Sequence, residues 1–450
     1  MNSTVRPWLR RVAILACVVL VPLVVHRVWD YVELRRLTSA LQAILDRGEP
    51  VSERDAGLEY QPFGTSERYA GTYYLAGATL ALDDSARADR MTGLRALRDW
   101  LDGAEPAPPD RQAQLRATRD TSQEALALAD AGAQLPFRGF PAGTEYNYRT
   151  AGLLDLSRLL AARTVTLSLD GDGEGAVASA ISGLALGRAL PYFPVFIEEG
   201  DTAAILSWSE PSSEALGRLQ AALVAEDQPN RGVTAFLRAR ASVIDGLWRR
   251  YYGLNPNVPT LYSLPMRGVT ELAQRPWVTH QFVALLHVWA EQAHAAQTPW
   301  PDRARVAEEM LRANTPPARD SWRRTRWSSY SDDLLRRAVQ PDRLIVDRAA
   351  LVAVAIERYR RDHGASLPPA LAELVTEYLP ALPMDPFTGA ALRYRQTADA
   401  YVIYSIGPDG TDDGGRLLRP APPGSLPRFV QGPDIGVRIL TGREGAKLSP

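Results

Sequence analysis

The chain has 450 residues, 46% of them hydrophobic and 23% charged, a composition that predicts two to three globular domains and excludes collagen-like, coiled-coil and wholly disordered chains. Lys+Arg 51 against Asp+Glu 52 leaves a formal charge of −1, so no global field draws the protein to nucleic acid or to an acidic surface. The one cysteine, Cys17, excludes an intramolecular disulfide and a thiolate metal site, and because Lys447 is the only lysine, single arginines carry no evidence of phosphate binding.

The first predicted element is a membrane anchor over residues 1–31. Val12 to Val25 is free of charge and makes about 21 Å of helix against a hydrocarbon core of roughly 30 Å. Trp8 and Trp29 at the two interfaces, with Arg10, Arg11 and Arg27 snorkelling, extend the span to about 33 Å. Pro22 is tolerated in such a helix. His26 to Asp30 offers no small-x-small cleavage site, so an uncleaved single span in the lipid bilayer is expected. Arg6, Arg10, Arg11 and the terminal amine before the core stand against Arg27, Arg35 and Arg36 after it, a mild preference for an inside N-terminus.

Residues 32–340 read as an irregular α-helical domain, with breaks near 103–111 and 254–265. Leu153, Leu156, Leu160 and Leu167 recur at helical spacing, and Ala176 to Leu190 continues an apolar face after the Asp170 to Gly175 turn, which predicts a helical hairpin. Further helices are expected over Arg87–Leu101, Ser122–Ala131, Ser213–Ala225, Thr234–Tyr252, Trp277–Gln297 and Arg303–Ala313. Asp170, Asp172 and Glu174 imitate the first half of an EF-hand calcium loop, yet its twelfth position is Ile181 where a bidentate acid is needed, so a glycine-rich turn is expected. His280, His287 and His294 stand seven apart, about 10.5 Å between neighbours, too far for one metal to join two of them. Glu291 and His294 match half of a carboxylate-bundle motif that comes in pairs, and a polar helix face is the expectation. Trp248 to Tyr252 and Trp322 to Tyr330 interleave aromatics with arginines, a pattern read as packing aromatics rather than a nucleic-acid surface. Nucleophile-elbow, Walker A, zincin and kinase motifs are absent from the sequence, which weighs against an enzyme.

Residues 341–450 predict a small C-terminal α+β domain. Leu344, Ile345, Leu351, Val352, Ala355, Ile356 and Tyr359 form a helical stripe that ends at His363-Gly364. Leu367 to Pro380 predicts a short amphipathic helix between prolines, and Met384 to Gly389 is turn chemistry. Leu392 to Arg395 and Tyr401 to Ser405 read as a hairpin, followed by an acidic, glycine-rich loop from Gly407 to Gly415.

The ordered run ALVAVAIERYRRDHG, YLPALPMDPFTG, LRYR and YVIYSIGPDGTDDGG, over Asp342 to Gly415, resembles the globular end of the major pseudopilin of type II secretion systems. The resemblance implies a helix on a small antiparallel sheet, export from the cytoplasm, and a calcium ion (Ca2+) held by the acidic loop, with Asp409, Asp412 and Asp413 as metal ligands and Asp434 as a displaced further one. Clustered carboxylates with flexible glycines suit calcium, which takes six to eight oxygens. Two features depart from that family: Met1 to Val12 has no Gly-Phe-Thr-Leu-x-Glu-like processing site, and some 310 residues separate the membrane helix from the helix at Asp342. Polymerisation as a pilin is therefore not expected. The expectation is a mainly α, non-catalytic assembly or binding factor, single-pass in a bacterial inner membrane with its bulk in the periplasm and an unidentified protein partner. The rival is an extracytoplasmic hydrolase with its site in the helical domain, at Glu198, Glu199, Asp201 or the Glu291/His294 face.

Overall fold

The computed structural model describes residues 5–52, 55, 68–82, 109–137, 146–189, 198–226, 231–251, 269–313, 342–407, 409–417 and 434–441. The protein is mainly helical, with one small antiparallel sheet near its C-terminal end. Contacts divide the chain into two compact units. The first comprises Met1–Gly57, Val233–Gln297 and Ala307–Arg336; the second comprises Leu58–Gly232, Thr298–Val306 and Arg337–Pro450.

In the first unit, helix α1 (Val5–Asp46) is a single unbroken rod with Pro22 inside it. At 1.5 Å per residue its 42 residues run about 63 Å. The apolar segment therefore continues as one helix past residue 31. From Ile14 to Val28 its large apolar side chains are exposed, whereas Asp30, Glu33, Leu37, Leu41 and Ile44 are buried at spacings of three and four, one stripe of an amphipathic helix. Among the described residues, α1 is the one helix long and apolar enough to cross a membrane. Its buried stripe packs on helix α10 (Val269–Gln297), and helix α9 (Arg231–Tyr251) belongs to the same unit.

The second unit holds helices α2 (Ala70–Ala81), α3 (Pro109–Thr121), α4 (Gln123–Ala133), α5 (Tyr146–Leu169), α6 (Gly173–Ala189), α7 (Glu198–Trp208), α8 (Ser213–Glu226) and α12 (Asp342–Asp362). A further helix, α11 (Asp302–Ala313), starts in this unit and ends in the other. The expected hairpin is α5 and α6. Gly171 takes φ 81 behind the last turn of α5, and the Asp172 N–H reaches back to the Leu167 carbonyl at 2.9 Å, a left-handed glycine cap. Asp172 then caps α6 by accepting the Gly175 N–H at 2.9 Å. Asp170 pairs with Arg116 and Arg119, and Ile181 packs against the core. The stretch that imitates a calcium loop is thus occupied by turn and cap chemistry.

Strands β1 (Arg393–Gln396), β2 (Ala400–Ser405) and β3 (Ile435–Leu440) form the sheet in that order, all antiparallel, with Tyr394 opposite Ile403 and Ile403 opposite Val437. Gly436 faces Tyr404 across the ladder, and a Cβ there would collide with the Ile403 carbonyl oxygen. Glycine is required by that close approach. Helix α12 lies on one face of the sheet and also packs on α7 and α8. Every residue from Ala349 to Ile356 is buried, and one core joins Val177, Ile205, Leu219, Val352, Ile403 and Ile439. That core crosses residue 341 without interruption, because a helix that is apolar all round needs cover on more than one side.

The region expected to form a helix over Leu367–Pro380 instead makes one 3-10 turn, Leu371–Leu374. Val375 is extended, Thr376 has φ 85, and Val375 bridges to Leu379. Flanking prolines leave too few residues to repay helix nucleation, and β-branched Val375 favours the extended backbone it adopts. The helix expected over Arg87–Leu101, residues 103–108 of the first expected break, the break at 254–265 and the Trp322 to Tyr330 run lie outside the described residues, while residues 109–111 begin α3.

Candidate functional site

The acidic loop starts where β2 ends and lies over the outer face of the sheet. Val402, Tyr404 and Ile406 point to that face and pack with Leu417, while Gly415 sits 3.2 Å from the Tyr404 ring if given a Cβ. Gly407, Gly410, Gly414 and Gly415 all have positive φ, which lets the loop reverse direction repeatedly over a short span. Each expected ligand has protein partners. Asp409 accepts the Thr411 N–H at 3.0 Å. Asp412 accepts the Gly414 N–H at 2.9 Å and the Tyr404 hydroxyl at 3.1 Å, and pairs with Arg393. Asp413 pairs with Arg416 at 3.0 Å.

Asp434, immediately before β3, is fully buried and accepts N–H groups from Asp413 at 3.3 Å and Gly415 at 2.6 Å. It therefore ties the loop to the sheet. Burial, and the negative Asp412 and Asp413 beside it, push its carboxyl above the ordinary value against the pull of those two N–H groups. Asp412 moves the other way: the Gly414 N–H, the Tyr404 hydroxyl and Arg393 together outweigh its modest desolvation and hold it below its ordinary value. The donor chemistry is the oxygen-rich set that calcium prefers. As placed, however, Arg393 and Arg416 pair with Asp412 and Asp413, backbone N–H groups bond Asp409 and Asp434, and among the described residues no three His, Cys, Asp or Glu side chains converge as a metal-ligand group.

The turn at Met384 to Gly389 hides a residue that the sequence reading treated only as turn chemistry. Asp385 is buried, accepts the Phe387 N–H at 2.8 Å and takes the Ser405 hydroxyl at 2.9 Å. Beneath the sheet Tyr401, fully buried, donates to Glu357 at 2.9 Å, and Glu357 is held by Arg360 at 2.9 Å. Burial, then the Glu357 charge, pushes the Tyr401 hydroxyl well above its ordinary range. These groups are buried and hydrogen-bonded to one another, which suits a structural role.

The hydrolase candidates lie on α7 and α10. Glu198, Glu199 and Asp201 begin α7, and their side chains lie outside the described residues. His287, Glu291 and His294 are exposed on α10, and His280 lies 3.3 Å from Glu33. Trp248 is buried, a packing aromatic as expected.

The first unit also buries charge. Arg240 is 0% exposed and donates to Glu49 at 2.7 Å, with Arg47 on the same carboxylate at 2.9 Å. Burial pushes the Glu49 carboxyl up, but the hydrogen bonds and charges of Arg47 and Arg240 outweigh it and hold it below the ordinary value. Asp30 on α1 receives Arg275 from α10 at 2.8 Å. Nothing in the sequence marked these pairs, whose partners are 191 and 245 residues apart.

Compared with protein-family models, with curated proteins and with solved structures, the chain matches none.

Proposed function

We propose that this chain is a membrane-anchored, exported, non-catalytic assembly or binding factor related to type II secretion or pilus-like systems. The observation that carries the reading is α12 lying on a three-stranded antiparallel sheet whose outer face is strapped by a glycine-rich acidic loop, the arrangement that the pseudopilin resemblance implies. The exposed apolar band of α1 supplies the anchor, and the reading requires the periplasmic side of a bacterial inner membrane. Its partner is a protein. An active alkaline phosphatase fused after Pro450 is the expected result; an inactive phosphatase with a fluorescent cytoplasmic reporter at the same point rejects export. A panel of esterase, phosphatase, peptidase and glycosidase substrates should show no turnover by the purified chain, and turnover lost on Glu291→Ala would replace this reading with the hydrolase.

Calcium belongs to the reading as a structural ion held by Asp409, Asp412 and Asp413, supplying charge neutralisation that pins the loop. For that, Arg393 and Arg416 must leave their carboxylates. Both are substantially exposed, 48% and 74%, and such surface pairs are worth about 0–1 kcal/mol each, so an ion can displace them. A ligand at about 100 times its dissociation constant adds about 2.7 kcal/mol. Melting of the full chain in detergent should rise with calcium, not with magnesium, and the rise should vanish in Asp409→Ala. Equal melting of wild type and variant in calcium removes the ion from the account and leaves the strap.

A further inference from the structure

Within the first unit, α1 and α10 run parallel: contacts advance from Asp30 to Glu33 on one helix as they advance from Arg275 to His280 on the other. The exposed stripe of α10 is Trp277, His280, Ala284, His287, Glu291 and His294, at spacings of three and four. Trp277, 57% exposed, is its one bulky apolar side chain. That is an anomaly on an otherwise polar stripe, and its position gives it a reason. Trp277 follows Arg275 by two residues, so the Asp30 contact sets it about 4.5 Å along the axis from Trp29 and about 1.5 Å from the level of Tyr31. Trp29 and Tyr31 are themselves 41% and 50% exposed. Arg35 lies over the Tyr31 ring at 5.4 Å and donates to its hydroxyl at 3.0 Å, while Arg27 is exposed one turn before Tyr31. Aromatic rings with a polar edge, flanked by arginines, are the chemistry of a headgroup boundary.

We propose that Trp277 is a second interfacial anchor. The lipid surface around Trp29 and Tyr31 also covers the membrane-proximal end of α10, so that the α1–α10 pair, clamped by Asp30 and Arg275, sets the depth and rotation of the first unit on the bilayer. The occupant is lipid because the Asp30–Arg275 contact sets Trp277 at the level where the exposed apolar band of α1 ends at Trp29 and Tyr31. The proposal rests on α1 spanning the membrane.

The test uses the full chain carrying Cys17→Ser, with a single environment-sensitive fluorophore on Val24→Cys, Trp277→Cys or His287→Cys. Each protein is reconstituted in phosphatidylcholine vesicles, with or without lipid bearing a nitroxide high on the acyl chain. Labels at 24 and 277 should be quenched, and the label at 287, about 15 Å further along α10, should not. Quenching at 24 with position 277 as unquenched as 287 overturns the proposal while keeping the span. Equal quenching at 277 and 287 also overturns it, since α10 would then lie along the surface. No quenching at 24 removes the span and the proposal together. Without any label, brominated lipid should quench less tryptophan fluorescence in Trp277→Phe than in wild type; an unchanged quenchable fraction overturns the proposal.

Discussion

Arg240 has no exposure at all, so its charge is supportable only because Glu49 lies 2.7 Å away. Breaking a buried pair from one side leaves the other charge uncompensated, at about 3–5 kcal/mol. The two sides are unequal here. Glu49→Leu strands Arg240, whereas Arg240→Met leaves Glu49 with Arg47. Urea unfolding in detergent should therefore show the larger loss for Glu49→Leu, and a larger loss for Arg240→Met would contradict the assignment. The pH dependence has a definite sign. Because Glu49 is held below its ordinary 4.5 in the folded state, its contribution is present above that pH and is lost as pH falls through the depressed value. Glu49→Gln should flatten the acid side of the stability curve. Asp434 works in the opposite sense: its carboxyl is raised above 3.8, so its contribution declines as pH rises from there through the folded value. Asp434→Ala should diminish that decline. Glu49 and Arg240 were not legible in the sequence, since a charge pair 191 residues apart leaves no local pattern. The aspartates of the acidic loop were legible as a cluster, but their division into an exposed set and a buried brace at Asp434 depends on the chain returning as β3.

At the scale of elements, the long periodic segments were readable. The expected Ser213–Ala225, Thr234–Tyr252 and Arg303–Ala313 helices correspond to Ser213–Glu226, Arg231–Tyr251 and Asp302–Ala313, because apolar spacing and breaker residues act locally. The short segment at Leu367–Pro380 was misread because its few apolar positions fit either a helix or a turn, and the prolines decided it. β3 was missed because it pairs with β2 across some thirty residues. The stripe assigned to α12 was too narrow: Ala349 to Ile356 is an uninterrupted apolar run, the mark of a helix covered on all sides. Ile356→Ala should consequently cost about 2–5 kcal/mol, as for other buried large-to-small changes, and a chemical denaturation shift under 1 kcal/mol would place this residue at a surface. Gly436→Ala should also destabilise, since its Cβ meets the Ile403 carbonyl. The check is a lower melting temperature than that of a Gly217→Ala control, whose Cβ has open space.

For the whole molecule, contacts gather segments far apart in sequence into two units. α1 enters the first unit as a structural helix, and α12 shares its core with α6, α7 and α8 of the second unit. Composition could locate the apolar band and the α+β motifs, but not these long-range groupings, because burial partners far apart in sequence are fixed by packing alone. The anchor is the claim on which localisation, export and the interfacial tryptophan all depend. The decisive measurement is alkaline carbonate extraction of membranes from cells producing the full chain, beside a chain that starts at Asp30 and so retains the Arg275 contact. The full chain should stay in the membrane pellet and the shortened chain should be released. Release of the full chain would contradict the spanning helix.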